Sequence, residues 1–180
     1  GTDIEDAAAL EKQLSDIEVT ISYENGVQQV FLNEENVTGL IRTEQVSDMT
    51  SRSSAKPQVR AKLTELQRTL AKKEDVLMDG RDIGTMILPD AQLKIFLTAS
   101  VKTRAERRYK EQIEKGESCT LEEIERDIKE RDYRDSHRET APLRQAEDAV
   151  LVDSSDMTIN EVVTEIVALA RERMQTATCR

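Results

Sequence analysis

A chain of 180 residues with 37% hydrophobic and 34% charged residues suits one domain, or one domain with a small insert, around a real core. No tryptophan, three tyrosines and two phenylalanines make it a helix-rich polar chain, and no apolar run approaches bilayer length, so a membrane-embedded class is excluded. The net charge of −10 leaves no broad positive field, which argues against a general binder of nucleic acid or anionic membranes but not against a phosphorylated small molecule held by a few arginines.

Gly1 stands where an intact gene product would carry methionine, so a processed product or a fragment of a longer chain is open. No basic-then-apolar leader opens the sequence, and Cys119 and Cys179 fall outside metal-ligand spacing. Reduced thiols in a cytoplasmic protein are the expectation.

Taken in order, residues 5–14 place Ala8, Leu10 and Leu14 among acids, the pattern of a surface helix. The period then changes to two: Ile17, Val19, Ile21 and Tyr23, then Val30 and Leu32, flank Asn25-Gly26, the preferred pair for a tight hairpin turn. "NVTGLIRT", 36–43, is a candidate third strand of this small antiparallel sheet. Residues 43–73 are helical with a break at Pro57, which restricts Lys56, and Val59, Leu63, Leu66 and Leu70 form an apolar stripe. "DVLMDG", 75–80, and "LKIFLTA", 93–99, are short apolar runs suited to central parallel strands. Helices at 101–115, 120–138 and 158–174 and a strand at 149–153 complete an α/β alternation, the last helix opened by a Thr158–Glu161 capping box.

Ligands of open parallel sheets gather at the carboxyl ends of the strands. The corner Asp79-Gly80-Arg81-Asp82 leaves such an end, with Gly80 and Gly84 permitting a sharp turn, Arg81 offering a fork for phosphate and Asp82 an acceptor for amino groups. The same residues also read as a local Arg–Asp pair that stabilises a loop. On a helix over 125–138, Arg131, Arg134 or Asp135, and Arg138 share one face. That face suits either an anion site or a solvated surface laced by pairs such as Asp127–Arg131 and Asp135–Arg138. Arg104, Arg107, Arg108 and Lys110 form a third basic cluster, on a soluble surface helix or on a lid hinged near Gly116. His137 has no nucleophile partner pattern and reads as solvent-facing. The Asn36-Val37-Thr38 sequon reads as chance, and "DSSDMTINE" lacks the glycine and ligand alternation of a calcium loop.

In order along nearly the whole chain, "GLIRTEQVS", "KPQVRAKL", "DGRDIGTMILPDAQLKIFLTAS", "RAERRYKE", "IKERDYRDSHRETAPL" and "VLVDSSDMTINEVV" resemble the bacterial cytidylate kinases of the nucleoside monophosphate kinase family. The resemblance implies a P-loop kinase-type parallel sheet flanked by helices, with a small antiparallel insert and a helical lid. It implies transfer of the γ-phosphate of ATP, with magnesium carried on the nucleotide, to CMP or dCMP, in a cytoplasmic monomer engaging neither nucleic acid nor membrane. Residue by residue, it places Ser51, Arg60 and Asp82 at the cytosine edge and Arg81 and Arg138 on the substrate phosphate. Arg131 and Asp135 fall near phosphate and ribose, and Arg107 and Arg108 on the lid. Residues 1–15 and 43–100 are then the core and monophosphate-binding part, 16–42 the insert, 101–138 the lid and its flanking helices, and 139–180 the closing strand and helix.

One departure is large. No G-x-x-x-x-G-K-[ST] loop occurs in residues 1–180. The family's loop is expected before the equivalent of Gly1, on a strand–turn–helix unit of roughly 30 or more residues. A non-catalytic nucleotide-binding fragment and a structural or interaction module therefore stand as alternatives to the active kinase.

Overall fold

The computed structural model describes residues 5–53 and 56–178, and side chains throughout them except at 44, 47, 48, 51, 52, 177 and 178. The chain forms two compact units, residues 1–77 and 78–180.

In the first unit, helix α1 (Ala7–Ser15) starts at Asp6, whose carboxylate accepts the amides of Ala8 and Ala9. This satisfies two of the donors that every helix start leaves orphaned. Strands β1 (Val19–Glu24) and β2 (Val27–Leu32) pair antiparallel, with Val19 opposite Leu32 and Glu24 opposite Val27. Asn25 and Gly26 turn the chain at φ +52° and +78°, as a hairpin of this length requires.

The expected third strand shrinks to β3, Glu35–Asn36. Side chains end it: Asn36 Oδ1 accepts the amide of Thr38 at 3.0 Å, and Thr38 Oγ1 takes the amide of Val30 at 2.8 Å. A threonine hydroxyl thus replaces the next ladder carbonyl and the chain turns away. Helix α2 (Glu44–Ser53) and helix α3 (Pro57–Lys73) follow, and α3 begins on proline, where the missing amide costs nothing. Helix α1 packs on α3, and Leu10 and Val59 are the buried apolar side chains of the two helices.

The run 75–80 forms no strand. Its Leu77 is 93% exposed, and in the described residues β4 (Ile95–Thr98) and β5 (Val150–Asp153) pair only with each other. Parallel geometry stabilises an apolar run only where a neighbour takes up its amides and carbonyls. Instead the corner runs into a single π-helical turn, Ile83–Ile87, which the sequence pattern does not announce.

The second unit carries the parallel pair β4–β5, in register from Ile95 opposite Val150 to Thr98 opposite Asp153. Between these strands lie helix α4 (Val101–Glu114) and helix α5 (Leu121–His137), and α6 (Ile159–Thr178) closes the chain. Gly116, at φ +76°, terminates the α4 segment, and Thr120 opens α5 with a reciprocal capping box to Glu123. Ala105, fully buried, packs with Ile124 and Ile128 between α4 and α5, and Val101, Tyr109, Cys119 and Leu121 surround them. This small core fixes α5, the helix that carries Arg131 and Asp135 of the expected site and ends at Arg138. Among the described residues no helix is long and apolar enough to cross a membrane.

Candidate active site

Asp82 is placed by its own backbone. Its carbonyl accepts the amides of Met86 at 2.8 Å and Ile87 at 3.3 Å, so the π-turn is wound onto this residue. Turns of this kind recur at functional sites because they re-aim a side chain. Neither Gly80 nor Gly84 adopts the left-handed conformation expected of a sharp turn. Gly80 is a matter of space: a Cβ there would stand 2.9 Å from Ile83 Cγ1.

Helix α5 supplies the opposing charges. Asp135, 20% exposed at its side chain, lies with Oδ2 3.0 Å from Arg81 Nε and 3.9 Å from Arg131 Nε. The pairs Asp127–Arg131 and Asp135–Arg138 expected from helical spacing do not form. The carboxylate of Asp135 is drawn instead to Arg81, far away in sequence, and back to Arg131.

Arg138 does not share the stripe of Arg131 and Arg134. It is the C-cap of α5, with φ −65° and ψ 142°, and its side chain leaves the helix surface. Its Nε donates to the carbonyl of Ala141 at 2.6 Å. Ala141 holds φ +51° just before Pro142, a left-handed alanine that costs roughly 1–2 kcal/mol. That strain aims a carbonyl at Arg138. Arg138 Nη2 is buried and makes no hydrogen bond among the described residues; it lies 4.0 Å from Asp82 Oδ1, whose side chain is 14% exposed.

Within one unit, then, Arg81 and Arg131 meet at Asp135 while Arg138 faces Asp82, the residue next to Arg81: three guanidiniums against two carboxylates. Such an arrangement can take up an oxyanion, since an unsatisfied buried guanidinium nitrogen is costly until an acceptor reaches it.

Arg107 lies elsewhere. Its Nη1 donates to Ser154 Oγ at 3.2 Å, and its Nη2 to the carbonyls of Ser154 at 2.6 Å and Met157 at 3.0 Å. It ties α4 to the loop after β5. Arg108 is exposed on the same helix. In the first unit, Arg60 is half-buried on α3 and lines a shallow groove with Arg68 and Lys72. Ser51 falls on α2, and its side chain lies outside the described residues. His137 is exposed and stacks on Tyr133 with ring centroids 4.0 Å apart.

Sequence reasoning missed Asp132 and the role of Arg104. Arg104 and Asp132 form a two-pronged pair that holds the carboxyl of Asp132 below its ordinary range, chiefly through the hydrogen bonds. Only the charge-rich "RDYRD" run hinted at it, since a partner 28 residues away leaves no periodic signal. Among the described residues no three carboxylate, thiol or imidazole groups converge on a cation, so no residue is assigned to magnesium.

Residues 1–172 match the family model described as cytidylate kinase. A protein named cytidylate kinase from Ligilactobacillus salivarius is 49% identical over 170 residues, spanning 94% of this chain and 76% of that protein. Another of the same name, from Streptococcus pneumoniae, is 53% identical over 151 residues, spanning 84% of this chain and 68% of its own.

Proposed function

Because the chain belongs to the cytidylate kinase family, a family of nucleoside monophosphate kinases, we propose that residues 78–180 carry the phosphate-acceptor site of a kinase that phosphorylates CMP or dCMP with ATP. The observation that carries this reading is the buried Nη2 of Arg138, which makes no hydrogen bond among the described residues and lies 4.0 Å from Asp82 Oδ1, the residue that follows Arg81. In this reading Arg81, Arg131 and Arg138 grip the phosphate of the monophosphate. Asp82 accepts from the cytosine amino group, and Asp135 braces Arg81 and Arg131 and approaches the ribose. Ser51 and Arg60 belong to the first unit, and their assignment to the cytosine edge rests on the family resemblance. Arg107 and Arg108 are assigned to the lid on the same ground.

The chemistry asks little covalent work of the protein. Phosphoryl transfer needs alignment of donor and acceptor and neutralisation of spreading charge. ATP with its magnesium supplies the phosphoryl group, and this chain's arginines hold the accepting phosphate oxygen. A carboxylate at the base edge makes the site selective, since an unmatched polar edge leaves Asp82 without its donor.

Calorimetric titration with CMP and with AMP tests the reading. CMP is expected to bind at least about tenfold more tightly than AMP, a difference of about 1.4 kcal/mol. Equal heats with both, or none with CMP, would count against it.

A further inference from the structure

Arg104 commits every nitrogen of its guanidinium to the protein. Its Nε donates to the carbonyl of Ala99 at 3.0 Å, and Nη1 and Nη2 donate to Oδ1 and Oδ2 of Asp132 at 3.0 and 2.6 Å. A fork-to-fork pair fixes both planes, and the carbonyl at the end of β4 fixes the third point. Both side chains are 36% exposed, so little net stability is expected from the ion pair itself. Its geometry does something else.

Asp132 precedes Asp135 by three residues on α5, so the two carboxylates share a face. Arg81 and Arg131 also act on Asp132, adding to the effect of Arg104 in lowering its pKa. Asp132 is therefore a third carboxylate within the field of the two arginines that flank Asp135. Any carboxylate free to turn toward them competes with a phosphate for the same donors.

We propose that Arg104 is a positioning residue for acceptor-phosphate binding: it holds Asp132 against α4 and cancels its charge, which leaves Arg81 and Arg131 to the phosphate. The inference rests on the reading of Arg81 and Arg131 as phosphate-binding residues. It adds a residue that touches no substrate and acts only through Asp132.

The test compares CMP with cytidine by calorimetry on the full 180-residue chain, in wild type, Arg104→Gln, Asp132→Asn and the double variant. Arg104→Gln is expected to weaken CMP about five- to tenfold, because the freed carboxylate of Asp132 then competes with the phosphate for the same arginines. Cytidine, lacking the phosphate, stays within about twofold, and adding Asp132→Asn returns CMP to within about twofold of wild type. Equal weakening of CMP and cytidine, or a double variant as weak as Arg104→Gln, overturns the proposal. Should Arg104→Gln lose its cooperative melting transition, Asp132→Asn alone decides: CMP bound as tightly as in wild type or more tightly supports the proposal, and clearly weaker binding overturns it. The two readings fail differently. A wild type that does not prefer CMP to cytidine removes the phosphate site and this proposal with it. A wild-type preference that Arg81→Met abolishes and Arg104→Gln leaves intact removes this proposal alone.

Discussion

Replacing Arg138 by methionine is expected to cost CMP affinity about 3 kcal/mol, roughly two orders of magnitude. Three consequences add. The substitution removes the one buried guanidinium nitrogen that makes no hydrogen bond in the described residues and is placed to take an oxygen. It strips the nearby carboxylate of Asp82 of a cation 4.0 Å away, leaving a mostly buried charge less compensated. It also frees the carbonyl of Ala141, which the strained backbone at φ +51° aims at Arg138 Nε. Methionine keeps much of the apolar stem, so packing changes little. Arg138→Lys separates the contributions: charge returns and the planar fork does not, so a partial recovery is expected. Isothermal titration with CMP reads both variants, and an Arg138→Met chain that binds CMP as wild type does would remove Arg138 from the site.

Ile124→Ala is expected to destabilise the second unit by about 2–5 kcal/mol, the range for deleting a buried branched side chain. Ile124 and Ile128 meet Ala105 in the cluster of buried apolar residues described between α4 and α5. With so small a core, the lost volume is poorly refilled by its neighbours. Such a loss is a large fraction of the 5–15 kcal/mol typical of a folded domain. The consequence reaches the site because α5 carries Arg131, Asp132 and Asp135. Thermal denaturation followed by circular dichroism should show a lowered midpoint, and amide exchange should quicken along α5. An unchanged midpoint would mean that α4 and α5 do not hold each other as described.

Local signals account for what was legible in the sequence. Asn25-Gly26 fixes a hairpin within a few residues, and the structure forms the turn at that pair. The Thr158–Glu161 box works likewise: Thr158 Oγ1 takes the amide of Glu161, and Glu161 Oε2 takes that of Thr158 at 2.7 Å. The break at Pro57 and the apolar spacing of α3 are equally short-range. Failures came where a partner distant in sequence decides. The run 75–80 has a strand's composition and no ladder partner in the described residues. Helical spacing put Arg138 beside Arg134. The helix instead ends one residue earlier, with Arg138 in extended backbone as its C-cap, and the guanidinium lies toward Asp82. For the site, residue types at Arg81, Asp82, Arg131, Asp135 and Arg138 were readable from motif and charge. Their pairings were not, because Asp135 chooses Arg81 across more than fifty intervening residues rather than Arg138 three residues on.

Arginine Nε–H resonances observed during a CMP titration report most directly on the acceptor site. With CMP, the signals of Arg81, Arg131 and Arg138 should shift together and saturate at one concentration, while excess inorganic phosphate should compete and cytidine alone should leave them nearly unmoved. Shifts confined to other arginines, or signals of these three that stay in place while CMP binds, would contradict a phosphate site at α5 and the Arg81–Asp82 corner.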